Sequence, residues 1–395
     1  MISSKSPGES NLAMTGASHT IKAFERLEAI PGEDWARLCH GGFPFTDYAY
    51  LHALEETGAV GRRSGWIPHH LTAWRADELE GASFLYLKDN SYGEYIFDWA
   101  WAQAYAHYGV PYYPKLVSAI PFTPATGPKL LFSGPADRAA VASRLIRAAK
   151  EQTEALELSS LHYLFLLPEE IPYFEREGFL IRHSFQYHWK NQNFPSFDAF
   201  LASLKRRKRK QILKERQELQ SRGLRISILR GADLRPEHAT VFHRFYRSTI
   251  EKMGAVPYLE LAFFQRVFQS MRDQVLLILA QEAGAPVAGA LCYENGECLY
   301  GRYWGASREI RNLHFELCYY QPLEYVIAKG LKLFEAGAQG EHKIARGFLP
   351  ELTYSAHWIR HPAFRNAIER FIGEEKKAIR AFFEEMKLHS PYRGV

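Results

Sequence analysis

Cysteine is scarce in this sequence. Four cysteines occur among 395 residues, Cys39, Cys292, Cys298 and Cys318, and no two of them form a CxxC pair. Three of the four lie within apolar patterns, where a reduced thiol behaves as a small hydrophobic side chain. The spacing therefore argues against a disulfide framework and against a structural zinc site, and we predict no bound metal.

Long hydrophobic runs are also lacking. The longest covers residues 275–280, whereas a membrane-spanning helix needs about 20 apolar residues. The first 20 residues contain Ser, Gly and Thr without the apolar core of a secretory signal. We therefore expect a cytoplasmic protein without a transmembrane segment, with peripheral contact to the inner face of the membrane as a further option.

Aromatic and aliphatic residues, in contrast, are abundant. The chain has 26 Phe, 22 Tyr and 8 Trp, and 47% of its residues are hydrophobic. This composition is too apolar for a disordered chain. Because 395 residues exceed the usual size of a single core, the length predicts two domains.

Positive charge is concentrated in one segment. The chain carries 49 Lys and Arg against 44 Asp and Glu, and six of these cations are consecutive, so the remainder holds 43 against 44. The run consists of Lys205, Arg206, Arg207, Lys208, Arg209 and Lys210. It predicts contact with tRNA, an anionic membrane surface or an acidic acyl carrier protein. A solvated helix face is an equally good explanation.

The residue patterns divide the chain into three parts. Residues 1–20 are predicted to form a disordered tail, residues 21–191 a first domain and residues 192–395 a second domain. The clearest part of the first domain is an apolar strand, a short helix that ends at Gly178, and a strand of alternating aromatic and polar residues.

The second domain shows a related order of elements. A long helix over residues 197–222 is predicted to carry the basic run. Three strands separated by Gly-containing turns then precede a helix near residues 312–329 and one more strand. An amphipathic helix over residues 365–387 closes the chain.

Several motifs resemble known acyltransferases. In the first half, "EREGF" between a helix and a closing strand is similar to GNAT domains. The chain as a whole resembles the FemAB-like family, often labelled peptidoglycan biosynthesis/recognition proteins. The segments that carry this likeness are YYPKLVSAIPFTPATG (112–127), LYGRYWGAS (299–307), HFELCYYQPLEY (314–325) and FEAGAQGEHKIARGF (334–348). The resemblance implies an α/β (α+β) fold with two tandem GNAT-like domains, each a mixed, mostly antiparallel sheet flanked by helices.

One GNAT feature is absent from the first half. GNAT enzymes bind the pyrophosphate of coenzyme A with a Q/R-x-x-G-x-G/A loop at a helix N-terminus. Here PFTPATGP, residues 121–128, stands in its place. We therefore expect no standard coenzyme A site in the first domain.

The loop of residues 337–348 is the strongest candidate for chemistry because three glycines lie among polar side chains just after a predicted strand. Those side chains belong to Gln339, Glu341, His342, Lys343 and Arg346. The carboxylate or the imidazole could accept a proton from an attacking amine. The amide and the two cations could hold a phosphate or a carboxylate of the substrate. A tight, solvated connection is the alternative.

Two further pairs precede this loop. His314 and Glu316 lie at the start of a predicted helix, where the helix dipole lowers the pKa of a histidine and favours an anion. His314 could act as a base and Glu316 could contact the substrate, although capping or core packing explains both residues equally well. Arg302 and Trp304 on the preceding strand are candidates for substrate binding, with packing as the alternative.

In the first domain, Tyr113 and Lys115 precede the predicted central strand within an aromatic-rich passage. Such a passage could line a groove for an acyl chain or a flat ring. Core packing is the alternative.

Together, these residues and the resemblance predict an amide-forming N-acyltransferase without a tightly bound cofactor. Acyl-CoA or acyl carrier protein would be the co-substrate. The acceptor would be a primary amine, for example a lipid amine as in bacterial ceramide synthesis. Glu341, His342 or His314 would be the base, and backbone N–H groups at a splayed strand would hold the oxyanion.

Two alternatives stay open. The resemblance also implies a Fem-like transferase that uses aminoacyl-tRNA and acts on a peptidoglycan precursor, because Fem-type enzymes carry a basic helix at this position. The second alternative is a non-catalytic protein that binds an anionic glycan or a lipid head group.

Overall fold

The computed structural model describes residues 10–12, 19–38, 42–134, 137–337 and 340–393, with the backbone alone for residues 10–12 and Glu341. The strands are β1 (Ser10–Leu12), β2 (His19–Phe24), β3 (Trp66–Pro68), β4 (His70–Arg75), β5 (Glu78–Ser83), β6 (Tyr86–Lys88), β7 (Lys115–Ser118), β8 (Leu131–Phe132), β9 (Ser160–Leu166), β10 (Leu180–Lys190), β11 (Arg225–Leu229), β12 (Val275–Glu282), β13 (Ala285–Glu294), β14 (Cys298–Ala306), β15 (Leu333–Glu335) and β16 (Leu349–Ile359).

The helices lie between and after these strands. They are α1 (Gly32–Ala36), α2 (Tyr48–Glu56), α3 (Trp99–His107), α4 (Arg138–Ala155), α5 (Ile171–Arg176), α6 (Phe197–Ser203), α7 (Arg206–Gln220), α8 (Pro236–Lys252), α9 (Leu261–Ser270), α10 (Leu313–Phe315), α11 (Gln321–Lys329) and α12 (Pro362–Leu388). A π-helical turn, Glu316–Tyr320, joins α10 to α11, and a 3-10 helix covers Glu341–Arg346.

The chain forms two compact units, each built from two segments. Unit 1 comprises Met1–Ser184 and Thr353–Ala378, and unit 2 comprises Phe185–Leu352 and Ile379–Val395. The predicted division at residue 191 differs from this because the second half does not stay in one unit. β16 pairs with β9, which draws residues 353–378 into unit 1.

Unit 1 contains two groups of paired strands, in the orders β1-β2-β4-β5-β8 and β3-β6-β7-β9-β16. β7 and β9 run parallel, and the other described pairs are antiparallel. Helix α4 covers the core with apolar residues at helical spacing, among them Val141, Leu145 and Ala149. β1 and the first two residues of β2 fall within the segment predicted as a tail, and β1 pairs with β2 in antiparallel orientation.

In unit 2 the strand order is β11-β12-β13-β14-β15-β10. β14 and β15 are parallel, whereas β12, β13 and β14 form antiparallel pairs. Helix α8 lies directly against β14, since a Cβ atom at Gly305 would be 2.0 Å from the carbonyl oxygen of Phe245. Three antiparallel strands, a helix and a parallel strand are the order predicted for a GNAT-like domain. The predicted α/β class with mixed, mostly antiparallel sheets is confirmed.

The long helix predicted over residues 197–222 is interrupted. Leu204 has extended backbone angles and bridges to Tyr392, and the Lys205 N–H donates to the carbonyl of Pro391. These contacts with the end of the chain separate α6 from α7, so the basic run begins a helix rather than lying within one. The predicted closing helix is confirmed as α12. Among the described residues, no helix is long and apolar enough to cross a membrane.

Candidate active site

The parallel pairing of β14 with β15 is short. It joins Cys298–Tyr300 to Leu333–Glu335, after which β14 continues to Ala306 and the chain beyond Glu335 leaves the sheet. A cavity of about 120 Å³ opens at this divergence. Its lining is formed by Ala290, Leu291, Cys292, Gly301, Arg302, Tyr303, Trp304, His314, Cys318, Tyr319 and Ala336.

A β-bulge places Arg302 at this cavity. Leu291 pairs with Tyr303 and Cys292 pairs with Gly301, so Arg302 is the extra residue in β14. Its guanidinium donates to the Gly301 carbonyl at 2.8 Å and lies 3.4 Å from a carboxylate oxygen of Glu335. Its side chain is buried. This cation is therefore held in one orientation beside the cavity.

Behind Arg302, a histidine completes a buried polar cluster. His188 pairs with Glu335 across β10 and β15, with 4.0 Å between the imidazole and the carboxylate. Burial and the nearby Arg302 lower the pKa of His188 to about 3. His188 is therefore neutral at physiological pH, and Arg302 supplies the positive charge of this cluster.

One histidine, His314, lines the cavity, and a second, His342, contacts the lining residue Tyr319. His314 packs edge-on against Trp304 and Tyr319, with ring centroids 5.2 and 5.6 Å away. The His342 ring is 6.1 Å from the His314 ring, and its Nε2 is 2.8 Å from the Tyr319 hydroxyl. Gly340 has φ +116°, and a Cβ atom there would be 2.5 Å from the His342 ring. The glycine therefore permits the position of this imidazole.

The pKa of each imidazole lies below its ordinary value. Burial, followed by His342 and two nearby cations, lowers the pKa of His314 to about 4. His342 is more exposed. Its pKa is also lowered, by burial and then by Arg346 and Lys343. Both rings are neutral at pH 7, and His342 is the one that solvent reaches more readily.

Lys343 is buried next to this pair. Its ammonium donates to the Gly337 carbonyl at 2.6 Å. Burial and the charge of Arg302 lower the pKa of Lys343 to about 7. Its charge therefore changes within the physiological range.

Two other candidates have protein partners. Arg346 is bound by Glu215 at 2.8 Å and by the Tyr320 hydroxyl at 3.0 Å. Glu316 accepts two hydrogen bonds from Arg216, at 2.9 and 3.1 Å. These contacts join α7 to the elements that surround the cavity, so both residues position the site. Gln339 lies outside the described residues, as does the side chain of Glu341.

The candidates of the first domain lie in a buried network. The Lys115 ammonium is 2.8 Å from Glu94 and 2.5 Å from Asp98, and it also donates to Ser91, which contacts the Tyr113 hydroxyl at 2.8 Å. Burial lowers the pKa of Lys115, but the two carboxylates outweigh burial and raise it. Lys115 is thus a core cation rather than a lining residue of a groove.

In unit 1 the chain itself occupies the edge where β7 and β9 would diverge. The Gly127 N–H donates to the Phe165 carbonyl at 3.2 Å, and the Lys129 ammonium donates to the same carbonyl at 3.0 Å. The carboxylate of Glu170 accepts from the backbone of Lys129 and Leu130 at 2.8 and 2.9 Å. The segment that stands in place of the pyrophosphate loop therefore fills the position that is open in unit 2.

The basic run lies on the surface of unit 2. Lys205, Arg206, Arg207 and Lys210 are exposed, and Lys208 and Arg209 are half-buried. The run begins α7, whose first turn has no acidic residue. Cations at a helix N-terminus are unfavourable with the helix dipole. The arrangement therefore favours an anion at this surface.

The sequence patterns did not identify Tyr319, Glu335 or His188 as parts of the site. A carboxylate at the end of an otherwise apolar strand was a signal for Glu335. Tyr319 had no such signal, because its contact with His342 depends on the π-helical turn, which is a feature often found at functional sites.

A comparison of the sequence with protein families identifies the family to which the chain belongs. The model FemAB_like, described as peptidoglycan biosynthesis/recognition, matches residues 26–394. The chain belongs to the FemAB-like family. The resemblance deduced from the sequence motifs is confirmed.

Two solved structures with a TM-score of 0.50 share the fold of this FemAB-like protein. FemX has 15% identity and a TM-score of 0.50, with 86% of this chain and 98% of that chain covered. L-PGS from Bacillus licheniformis has 11% identity and a TM-score of 0.50, with coverage of 81% and 95%. The C-terminal domain of a putative lysylphosphatidylglycerol synthetase from Agrobacterium fabrum has 9% identity and a TM-score of 0.46, with coverage of 65% and 82%. A comparison with curated proteins gave no match.

The buried network of the FemAB-like protein gives a first prediction. Lys115→Met leaves Glu94 and Asp98 without their cation, and we expect a loss of about 3–5 kcal/mol in the free energy of unfolding. Urea denaturation at pH 8 measures it. The matched control in unit 1 is Lys377→Met, whose ion pair with Glu374 is exposed and whose loss should stay below about 1 kcal/mol. Similar losses in both variants would contradict a core role for Lys115.

Lys343 gives a second prediction. Its pKa is about 7 in the folded chain and near 10.5 when unperturbed, so the unfolded state binds more protons between these pH values. The stability of the wild type therefore rises with pH across this window through Lys343. Lys343→Met removes the rise. The stability of the variant relative to wild type should fall by on the order of 2 kcal/mol between pH 7 and pH 9.

Urea unfolding at several pH values tests this linkage. Lys332→Met is the control, because Lys332 is an exposed lysine in the same unit. The stability of the Lys332→Met variant relative to wild type should not change with pH. If Lys343→Met behaved in the same way, Lys343 would titrate normally in the folded chain.

Proposed function

We propose that this protein is an amide-forming transferase that moves an acyl or aminoacyl group to a primary amine at the cavity between β14 and β15. The observation that carries the proposal is the neutral His342, which is held by Tyr319 and lies beside a cavity at the divergence of two parallel strands. Membership of the FemAB-like family supports it.

The reaction requires a base and a polar environment for negative charge. His342 takes a proton from the ammonium of the acceptor, and the free amine attacks the carbonyl carbon of the donor. A C–N bond forms and the C–S or C–O bond of the donor breaks. The thiolate or alkoxide that leaves takes up the proton held by His342, and the second proton that the nitrogen loses as it becomes an amide is released to solvent. No covalent enzyme intermediate is required.

The surroundings of the cavity favour an oxyanion. Arg302 lines the cavity and is fixed by Gly301 and Glu335. The strand edge of β14 beyond Tyr300 no longer pairs with β15, so backbone groups face the opening. Preorganised donors and charges of this kind stabilise a tetrahedral intermediate.

The size of the cavity limits what it contains. Pockets for whole drug-sized ligands typically measure about 300–1,000 Å³, whereas this cavity measures about 120 Å³. It suits the reacting carbonyl and amine, and the rest of each substrate would lie outside. An acyl-CoA or acyl carrier protein thioester is the donor that we propose first.

A second candidate donor is aminoacyl-tRNA, with a peptidoglycan precursor as acceptor. The observation that favours it is the exposed basic run at the start of α7. Phosphate contacts of six cations would make binding strongly dependent on salt. FemX, whose fold the chain shares, is consistent with this candidate.

Incubation with each donor class and a panel of amines, followed by mass spectrometry of the amide product, tests the proposal. A product with a thioester donor supports the first candidate. A product with aminoacyl-tRNA alone supports the second. Absence of product with every donor, together with retained affinity for an anionic glycan or lipid, would contradict both and favour the non-catalytic alternative.

The base assignment gives a third prediction. His342→Ala should lower kcat by about 10²–10⁴-fold, which is the usual contribution of a general base. Because the pKa of His342 is lowered, wild-type kcat/KM should fall with decreasing pH only below about 6.5. Tyr319→Phe should lower kcat less, because the ring keeps its place and loses only the hydroxyl contact.

The matched control is His389→Ala, since His389 lies in the same unit but follows the end of α12. Its kcat should equal that of the wild type. A kcat of His342→Ala within twofold of the wild type would assign the base elsewhere, and His314→Ala would be measured next.

A further inference from the structure

The π-helical turn of residues 316–320 brings Tyr319 to His342. The Tyr319 hydroxyl lies 2.8 Å from the imidazole, and Tyr319 also lines the cavity between β14 and β15. π-helical turns are rare and occur mostly as single turns within α-helices. The geometry at the cavity therefore depends on the contacts that hold this segment in its π-helical form.

Two adjacent residues of α7, Glu215 and Arg216, bind the two ends of this turn. The Arg216 guanidinium donates to both carboxylate oxygens of Glu316, at 2.9 and 3.1 Å. Glu316 also accepts from the Gln321 amide at 2.8 Å, so its carboxylate joins the first residue of the turn to the residue after the last one. At the other end, the Tyr320 hydroxyl donates to Glu215. Helix α7 thus holds the turn at both ends.

Glu215 also reaches the 3-10 helix that carries His342. Its carboxylate accepts from Arg346 at 2.8 Å, and the same guanidinium donates to the His342 carbonyl at 2.9 Å. Both charged side chains are largely excluded from solvent, so water competes little for these contacts. The turn with Tyr319 and the helix with His342 are therefore fixed to one short segment of α7.

The contacts of Arg216 require a guanidinium. Arg216 donates to Glu324 as well, at 2.6 and 3.0 Å, so one planar group binds two carboxylates. An arginine presents five N–H donors in a fixed fork, whereas the ammonium of a lysine is a point charge on a flexible chain. Glu316 is buried, and loss of its cation would leave a buried charge without a partner.

We propose that Glu215 and Arg216 are positioning residues for the transferase reaction. They hold the π-helical turn and the 3-10 helix in the arrangement in which Tyr319 meets His342. Neither is among the described residues that line the cavity, so they act through Tyr319 and His342 rather than on a substrate. The inference rests on the proposed function, which assigns His342 as the base, but the arrangement itself can be measured without turnover.

NMR of the histidine imidazoles in the full chain measures this arrangement. The His342 resonance is the one that disappears in His342→Ala, and Tyr319→Phe shows how it shifts when the hydroxyl contact is lost. In Arg216→Met and in Glu215→Ala the His342 resonance should shift as well. The kcat of each variant should fall by about 10- to 100-fold, because a base displaced by about 1 Å loses its reacting geometry. Glu215→Gln keeps an acceptor oxygen and should retain more activity than Glu215→Ala.

A double variant separates positioning from stability. Arg216→Met lowers stability by itself, because it leaves the buried carboxylate of Glu316 without a cation. Adding Glu316→Gln removes that charge, so the double variant should melt at a higher temperature than Arg216→Met. Its kcat should stay low and its His342 resonance should stay shifted. A wild-type kcat in the double variant would overturn the proposal.

The matched control is Arg230→Met in the same unit. Arg230 lies 3.1 Å from Glu294, which is 6% exposed against 4% for Glu316, and it also binds the Tyr325 hydroxyl. Both partners lie outside the π-helical turn and the 3-10 helix. The control should therefore lose stability but keep the wild-type His342 resonance and kcat. An equal shift of the resonance in Arg230→Met and Arg216→Met would overturn the proposal, since loss of either buried ion pair would then suffice.

This inference and the proposed function fail separately. If the wild type forms no amide with any donor while the His342 resonance shifts in Arg216→Met, the proposed function is contradicted and the positioning of His342 by α7 is supported. An unchanged His342 resonance in both Arg216→Met and Glu215→Ala would overturn the inference, whatever the activity of the wild type.

Discussion

The brief pairing of β14 with β15 is the constraint on which the candidate site depends. Three residue pairs hold the two strands together, and their divergence leaves backbone groups that must find other partners. The cation of Lys343 binds one such carbonyl, at Gly337, and the guanidinium of Arg302 binds that of Gly301. Unpaired backbone carbonyls therefore bind charged side chains at the opening. The same charges can stabilise a transition state in which negative charge develops on an oxygen atom.

The two units have a related strand order, but their parallel strands have different surroundings. In unit 1 the parallel strands β7 and β9 are covered by the chain itself, and its buried charges are paired, with Lys115 between Glu94 and Asp98. In unit 2 the corresponding pair of strands stays open and its cations adjoin a cavity. Burial of paired charges suits a structural role, whereas an opening with fixed charges favours chemistry.

Local patterns predicted much of the fold. The apolar run of β12, the alternation of β10 and the amphipathic pattern of α12 each lie within one segment, and hydrophobic periodicity reports such segments directly. The break between α6 and α7 escaped this reasoning. It depends on Pro391 and Tyr392, which are far along the chain from Lys205 and Leu204, and no local propensity encodes such a contact.

The sequence by itself determined the family, the α/β class, the presence of two domains and the loop in which His342 lies, because motifs and periodicity are properties of neighbouring residues. Only the tertiary structure decided which charged residues face a cavity. Arg302, Arg346 and Lys115 are equally polar in the sequence, yet a bulge places the first, paired with Glu335, at the opening, while Glu215 binds the second and Glu94 and Asp98 bind the third. Burial and pairing depend on distant segments, and they decide whether a charge lies within the core or at the wall of a cavity.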